Sequence, residues 1–251
     1  MIFLVGNWKM APEKSAQAVT LFKKTNLLAR AYKKSLTIVA CAPSVYLATL
    51  TKQRVSPLKL GAQTVASTST VANTGLIHAA MLKDAGVTYG IVGHSESRAR
   101  GEGNDLIREQ ALRLIEKKII PILCVGERER DPQGWYLSEV KEQLESLLVV
   151  LPKTAYKSFM IAYEPIWAIG KDAVREATAV ECQEMIIFIR KIIADAIGEK
   201  AASLVPILYG GSVNEINARS FIVEGKAQGL LVGRVSLDPV AYSKLAKSIS
   251  K

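Results

Sequence analysis

Short apolar, β-branched runs recur eight times along the chain, each followed by a longer amphipathic segment, and the alternation is never broken. The strand candidates are Ile2–Trp8, Leu36–Ala42, Lys59–Val65, Tyr89–His94, Ile119–Val125, Phe159–Glu164, Pro206–Tyr209 and Gly229–Gly233. Ile2-Phe3-Leu4-Val5, Thr37-Ile38-Val39-Ala40 and Ile122-Leu123-Cys124-Val125 are apolar at nearly every consecutive position, the mark of parallel strands covered on both faces. Helical patterns fall between them at Pro12–Tyr32, Val45–Gln53, Ile77–Ala85, Asn104–Lys117, Trp135–Leu151, Ala177–Ile197, Asn214–Val223 and Asp238–Ser248. Pro12 suits an early helical position and Gly198 a helix end. No Ser/Gly/Pro-rich linker interrupts the series, and each βα unit fits the usual ~30 residues. The expectation is α/β, a single (β/α)8 barrel over 1–251, with a doubly wound open sheet as the alternative. Gly101-Glu102-Gly103-Asn104, the nearest approach to a dinucleotide fingerprint, does not directly follow a strand, which favours the barrel.

With 49% hydrophobic and 22% charged residues, a disordered chain is excluded. No apolar stretch reaches the roughly 18 to 20 residues that span a bilayer, and MIFLVGNWKM lacks a basic n-region and a small-residue cleavage site. A soluble, unexported protein is expected. Cys41, Cys124 and Cys182 are odd in number and set in apolar runs, which suggests neither a disulfide framework nor a zinc site, and fits a reducing cytoplasm. The net charge of +10 is spread over pairs such as Lys23-Lys24, Lys33-Lys34 and Lys117-Lys118, mostly late in helical patterns. No basic tract is interleaved with aromatics, so a nucleic-acid footprint is not indicated and a solvated basic surface is.

In a (β/α)8 barrel the chemistry sits at the C-terminal ends of the strands. The first strand ends in Asn7-Trp8-Lys9, a neutral donor and a cation two residues apart; the lysine suits either an anion site or plain surface. His78 lies inside a helical run and reads as a surface or packing residue. His94 follows Gly90-Ile91-Val92-Gly93, and Ser95-Glu96-Ser97 after it can start a short helix, at whose N-terminus a neutral imidazole would polarise a carbonyl; a buried structural histidine is the competing reading. Glu164 closes a buried strand just before Pro165-Ile166-Trp167-Ala168-Ile169-Gly170. A carboxylate so placed suits a general base, or else a structural ion pair, and the loop after it has the make-up of a closing lid. Tyr209-Gly210-Gly211-Ser212 and Gly233-Arg234 end the last two strands, where barrels often hold phosphate on backbone N–H groups.

These stretches resemble the triosephosphate isomerase family. The likeness is carried by Gly6-Asn7-Trp8-Lys9-Met10, Gly61-Ala62-Gln63, Ile91-Val92-Gly93-His94-Ser95-Glu96, Cys124-Val125-Gly126-Glu127, Ala162 to Gly170, Tyr209-Gly210-Gly211-Ser212-Val213 and Leu231-Val232-Gly233, in order over nearly the whole chain. The resemblance implies interconversion of dihydroxyacetone phosphate and D-glyceraldehyde 3-phosphate through an enediolate, as in glycolysis and gluconeogenesis. Glu164 would be the base, His94 the electrophile and proton shuttle, and Lys9 and Asn7 the groups that stabilise the enediolate. Glu96, with Ser95 beside it, would act behind them by holding Lys9. The phosphate would rest on Gly170, Ser212, Gly233 and Arg234 as a loop over Pro165–Arg175 closes. No metal or organic cofactor is implied, nor a nucleic-acid or membrane partner.

The chain also departs from that family. Its lid continues Lys171-Asp172-Ala173-Val174-Arg175 where Thr-Gly-Lys-Thr-Ala is common, so the far hinge is unusual. Arg234 replaces a second glycine; it is strained if that position needs positive φ, and otherwise keeps its N–H and adds a cation. The family's homodimer is implied, but Ala11, Leu76 and Ser97-Arg98 replace residues of its interface, Ala66–Asn73 lacks the usual Gly and Phe, and Ala99–Gly103 is one residue short. Leu76 and Ser97 together remove both members of a cross-subunit ion pair, leaving no orphan charge. The expected dimer is weaker than the family norm. An isomerase for another small phosphorylated ketose, and a non-enzymatic scaffold on an old barrel, are the competing readings.

Overall fold

A computed structural model of the chain describes residues 1–53, 56–152, 154–170 and 173–250. β1 (Ile2–Asn7), β2 (Leu36–Cys41), β3 (Lys59–Ala62), β4 (Tyr89–Val92), β5 (Ile120–Val125), β6 (Met160–Tyr163), β7 (Ile207–Tyr209) and β8 (Gly229–Val232) pair in chain order. All pairs are parallel, and β8 returns to β1 with Val5 opposite Leu231. The result is the closed (β/α)8 barrel and not the open sheet.

Because side chains alternate across a strand, the apolar runs divide into two sets. One set, including Val5, Val39, Ile91, Ile122, Cys124, Met160, Ala162, Leu208 and Leu231, fills the barrel. The other, including Leu4, Ile38, Leu60, Leu123, Ile161 and Ile207, packs outward against the helices. Both faces are thus dry, which is why the strands read as continuous hydrophobic segments. Truncating a fully buried inner side chain such as Ile122 to alanine would cost about 2–5 kcal/mol, since close-packed neighbours cannot collapse into the gap.

The outer layer comprises α1 (Ser15–Ala31), α2 (Leu47–Lys52), α3 (Ala79–Asp84), α4 (Ser95–Ala99), α5 (Asn104–Glu116), α6 (Tyr136–Leu148), α7 (Ala179–Ile197), α8 (Glu199–Leu204), α9 (Ala218–Val223) and α10 (Pro239–Ile249). Several start later than the periodicity suggests, because a polar side chain caps the helix first. His78 is the N-cap of α3, its ring accepting from the Ala80 N–H, so it is neither a bystander nor core packing. Thr178 and Glu181 form a reciprocal capping box at the start of α7. Asn214 accepts the N–H groups of Ile216 and Asn217, turning the chain before α9. Glu199–Leu204, with no separate place in the sequence reading, is helical. Lys23 and Lys24 lie in the middle of α1 instead of its last turn, whereas Lys117 does cap α5. Among the described residues no helix is long and apolar enough to cross a membrane.

Candidate active site

The inward row of each strand, continued one step past its C-terminal end, sets what the mouth of the barrel contains. Phe3 and Val5 lead to Asn7, and Met160 and Ala162 lead to Glu164, so a donor and a carboxylate enter from opposite sides. Leu208 and Leu231 lead instead to Gly210 and Gly233, which leave a hollow. That hollow is a cavity of ≈ 160 Å³. Asn7, Lys9, His94, Glu164, Gly170, Ser212, Gly233 and Arg234 all line it. The eight candidates gathered from five separate strand ends therefore share one space.

Glu164 is almost wholly buried. One carboxylate oxygen accepts the Ser95 backbone N–H at 2.9 Å, and the other lies 3.2 Å from His94 Nε2. His94 is the N-cap of α4, and its Nδ1 accepts the Glu96 N–H at 3.2 Å. A backbone N–H only donates, so Nδ1 presents a lone pair and the single proton of the neutral ring sits on Nε2, facing Glu164 and the cavity. A proton on Nδ1 would set two donors against each other.

Lys9 adopts a left-handed backbone, φ +52°, costing roughly 1 kcal/mol for a side-chain-bearing residue. Its N–H donates to Asn7 Oδ1 at 3.0 Å, which holds the turn and commits the Asn7 oxygen, leaving the amide NH2 as that side chain's free donor. Lys9 Nζ donates to Glu96 Oε1 at 2.5 Å. Burial acts to raise the Glu96 carboxyl, but the Lys9 hydrogen bond and charge outweigh it and hold the group below the ordinary range. Ser95 and Glu96 thus stand behind the cavity, one steering Glu164 and the other Lys9. Below Glu164, the Cys124 thiol is pushed well up, first by burial and then by the carboxylate beside it.

At the other end Gly170, Gly211, Ser212 and Gly233 line the cavity. The Ser212 hydroxyl donates to the Ala168 carbonyl at 3.0 Å. Arg234 is not among the residues with positive φ, so the arginine carries no backbone strain. In the lid, Lys171 and Asp172 fall outside the described residues. The Val174 N–H donates to Trp167 O at 2.8 Å, tying the two arms together. Arg175 stacks on the Trp167 ring at 4.5 Å and pairs with Glu181 at the start of α7. Of the interface candidates, Leu76 is exposed, the Ala11 N–H donates to Trp8 O, and the Ser97 hydroxyl accepts from Arg100. None of the three lines the cavity.

Three supporting residues, Glu127, Arg98 and Gln143, have no part in the site as read from sequence, where Arg98 stands only among the interface positions. Glu127 is fully buried, and one oxygen accepts from Tyr163 Oη at 2.8 Å, Trp167 Nε1 at 2.8 Å and Arg130 Nε at 3.2 Å. It moors the base of the loop that follows Glu164. Its signal was present, since Cys124-Val125-Gly126-Glu127 is an apolar strand closed by a glutamate, as at Glu164. Arg98 donates to Gly93 O, Asn104 Oδ1 and Cys124 O, pinning the turn that leads into His94. Gln143, buried in α6, clamps both the N–H and the carbonyl of Gly126.

The sequence model of the triosephosphate isomerase family matches residues 2–249. The triosephosphate isomerase of Dictyoglomus turgidum is 36% identical over 249 residues, covering 98% of this chain and 98% of that protein. That of Chlamydia trachomatis serovar D is 38% identical over 251 residues, covering 98% and 89%. The Chlamydia muridarum protein of the same name is 36% identical over 252 residues, covering 99% and 91%.

Proposed function

The chain belongs to the triosephosphate isomerase family, and on that premise we propose that it interconverts dihydroxyacetone phosphate and D-glyceraldehyde 3-phosphate. The observation that carries this reading is the juxtaposition of the Glu164 carboxylate with His94 Nε2 at 3.2 Å, in a cavity that also takes in Lys9 and Asn7. A base and a proton donor so close serve one substrate from two sides: Glu164 removes a proton from the carbon beside the carbonyl while His94 donates to the carbonyl oxygen.

The enediolate that forms carries its negative charge next to Lys9 and the Asn7 amide. Preformed donors stabilise that charge without reorganising, and losing one of them typically costs about 10²- to 10³-fold in rate. His94 passes protons between the two substrate oxygens, and Glu164 returns its proton to the neighbouring carbon. Glu96 keeps Lys9 aimed, and Ser95 steadies Glu164 between turnovers. The phosphate rests on the backbone N–H groups of Gly170, Ser212, Gly233 and Arg234, and the lid over Pro165–Arg175 closes to exclude water. In this reading the enzyme serves glycolysis and gluconeogenesis in the cytoplasm, as a homodimer weaker than is usual in the family.

Steady-state conversion of D-glyceraldehyde 3-phosphate by the purified chain tests the proposal, with Glu164→Gln as the control. The amide keeps the shape and loses the base, so kcat is expected to fall about 10²- to 10⁴-fold while inorganic phosphate still binds. Wild-type turnover in Glu164→Gln would remove Glu164 as the base, and an inactive wild type would end the reading.

A further inference from the structure

We propose that the Arg234 guanidinium is a direct ligand of the substrate's phosphate dianion and sets the preference of the site for phosphorylated over unphosphorylated trioses. The proposal rests on the isomerase reading for its substrate, but its chemistry is that of any phosphate held at this end of the cavity.

The charges around the cavity are unevenly committed. Among the described residues its charged side chains are Lys9, Glu164 and Arg234, with His94 beside them. Lys9 is taken by Glu96, and Glu164 by the Ser95 N–H and His94. Arg234 is exposed at the mouth, and its guanidinium has no hydrogen bond or ion pair among the described residues. The neighbouring groups, Gly170, Gly211, Ser212 and Gly233, offer neutral amides and one hydroxyl already donating to Ala168 O. A dianion seated on amides alone would lack a full counter-charge there, and among the described residues Arg234 is the uncommitted cation adjoining them. Its planar fork can donate two parallel hydrogen bonds to phosphate oxygens, which a lysine ammonium cannot reproduce.

The backbone fixes where this cation starts. A Cβ placed on Gly233 would stand 3.4 Å from Lys9 Cε, so the Lys9 side chain lies against Gly233, the residue before Arg234. Gly233 is anchored in turn by the fully buried Ser236, whose N–H and hydroxyl both donate to its carbonyl at 2.9 and 2.6 Å. Arg234 therefore leaves a fixed, unstrained turn at the rim, with only its side chain free to reach inward.

The test compares wild type, Arg234→Ala and Arg234→Lys by two measurements. The first is the ratio of kcat/KM for D-glyceraldehyde 3-phosphate to that for D-glyceraldehyde, which a general distortion of the site would leave in place. A charge-assisted contact at a partly wet rim predicts about a tenfold fall in Arg234→Ala with partial recovery in Arg234→Lys. The second is the Kd for inorganic phosphate by calorimetry, expected to weaken about tenfold in Arg234→Ala and to lose part of its salt dependence. A ratio and a Kd both within about twofold of wild type in Arg234→Ala would overturn the proposal. If the wild type isomerises neither substrate, the isomerase reading fails and the phosphate titration alone decides: an unchanged Kd in Arg234→Ala rejects the guanidinium ligand, and a tenfold weaker one upholds it.

Discussion

Gly210 faces Glu164 so closely that a Cβ at position 210 would stand 2.9 Å from Glu164 Cγ. The absence of a side chain on one strand end thus sets the resting place of the carboxylate on the next. Carbon atoms do not approach to that distance without displacement, so Gly210→Ala is expected to shift Glu164 from its place against Ser95 and His94. Since a shift of about 1 Å at a reacting group can cost 10²-fold, kcat should fall by about that factor while the barrel stays folded. Activity assays paired with circular dichroism check this, and a Gly210→Ala enzyme with wild-type kcat would show that Glu164 tolerates displacement.

Trp167→Phe isolates a single hydrogen bond. An aromatic ring beside Arg130 and Arg175 is kept, but the indole N–H to Glu127 is lost. Glu127 is fully buried, and among the described residues its second oxygen has no hydrogen-bond partner, so the first oxygen carries the donors that hold it. The loss is expected to cost about 1–3 kcal/mol, lowering Tm by about 3–10 °C. A thermal melt within 1 °C of wild type would mean that Tyr163 and Arg130 suffice.

Arg175 gives the far arm of the lid a pH signature. Its hydrogen bond holds the Glu181 carboxyl down at about 2 against an ordinary 4.5, with burial opposing and the Thr178 N–H and hydroxyl assisting. A carboxyl depressed by folding adds stability that is complete above its unfolded pKa and disappears as the pH falls through its folded one. Arg175→Ala should therefore be slightly less stable than wild type at pH 7, a small effect because the arginine is exposed and solvent screens the pair, with the gap closing between pH 4.5 and 2. Urea titrations at pH 7, 4.5 and 3 measure it; an equal gap at all three would assign the effect to packing on Trp167.

Subunit association is expected to be weak. Leu76 and Met10 are strongly exposed on the single chain, and the Leu76 and Ser97 positions offer no ion pair across an interface. Sedimentation velocity over a dilution series should find dissociation before the nanomolar range, accompanied by falling turnover per chain. Only dimer at nanomolar chain would contradict this.

Much of the molecule was legible in one dimension. The strands read correctly because burial on both faces makes each an uninterrupted apolar run, and hydrophobicity is a local property of a sequence. Asn7, Lys9, His94 and Glu164 stood out because each ends such a run, where a barrel places its chemistry. Helix starts were less legible, as at His78 and Thr178, because a capping bond depends on how the chain enters the helix.

The sequence by itself determined the alternation of strands and helices and the polar residues at the strand ends. Only the tertiary structure decided that Glu164 and His94 lie 3.2 Å apart across a gap of some 70 residues, that Nδ1 accepts from Glu96, and that Lys9 pairs with Glu96 while the Arg234 guanidinium pairs with none of the described residues. Glu127 shows the limit most clearly: it has the same sequence setting as Glu164, yet Tyr163, Trp167 and Arg130 close over it, whereas Gly210 and Gly233 leave Glu164 an opening. Composition and period are summed along the chain, but the use of a charge is fixed by its nearest atoms, and those come from strands far apart in sequence.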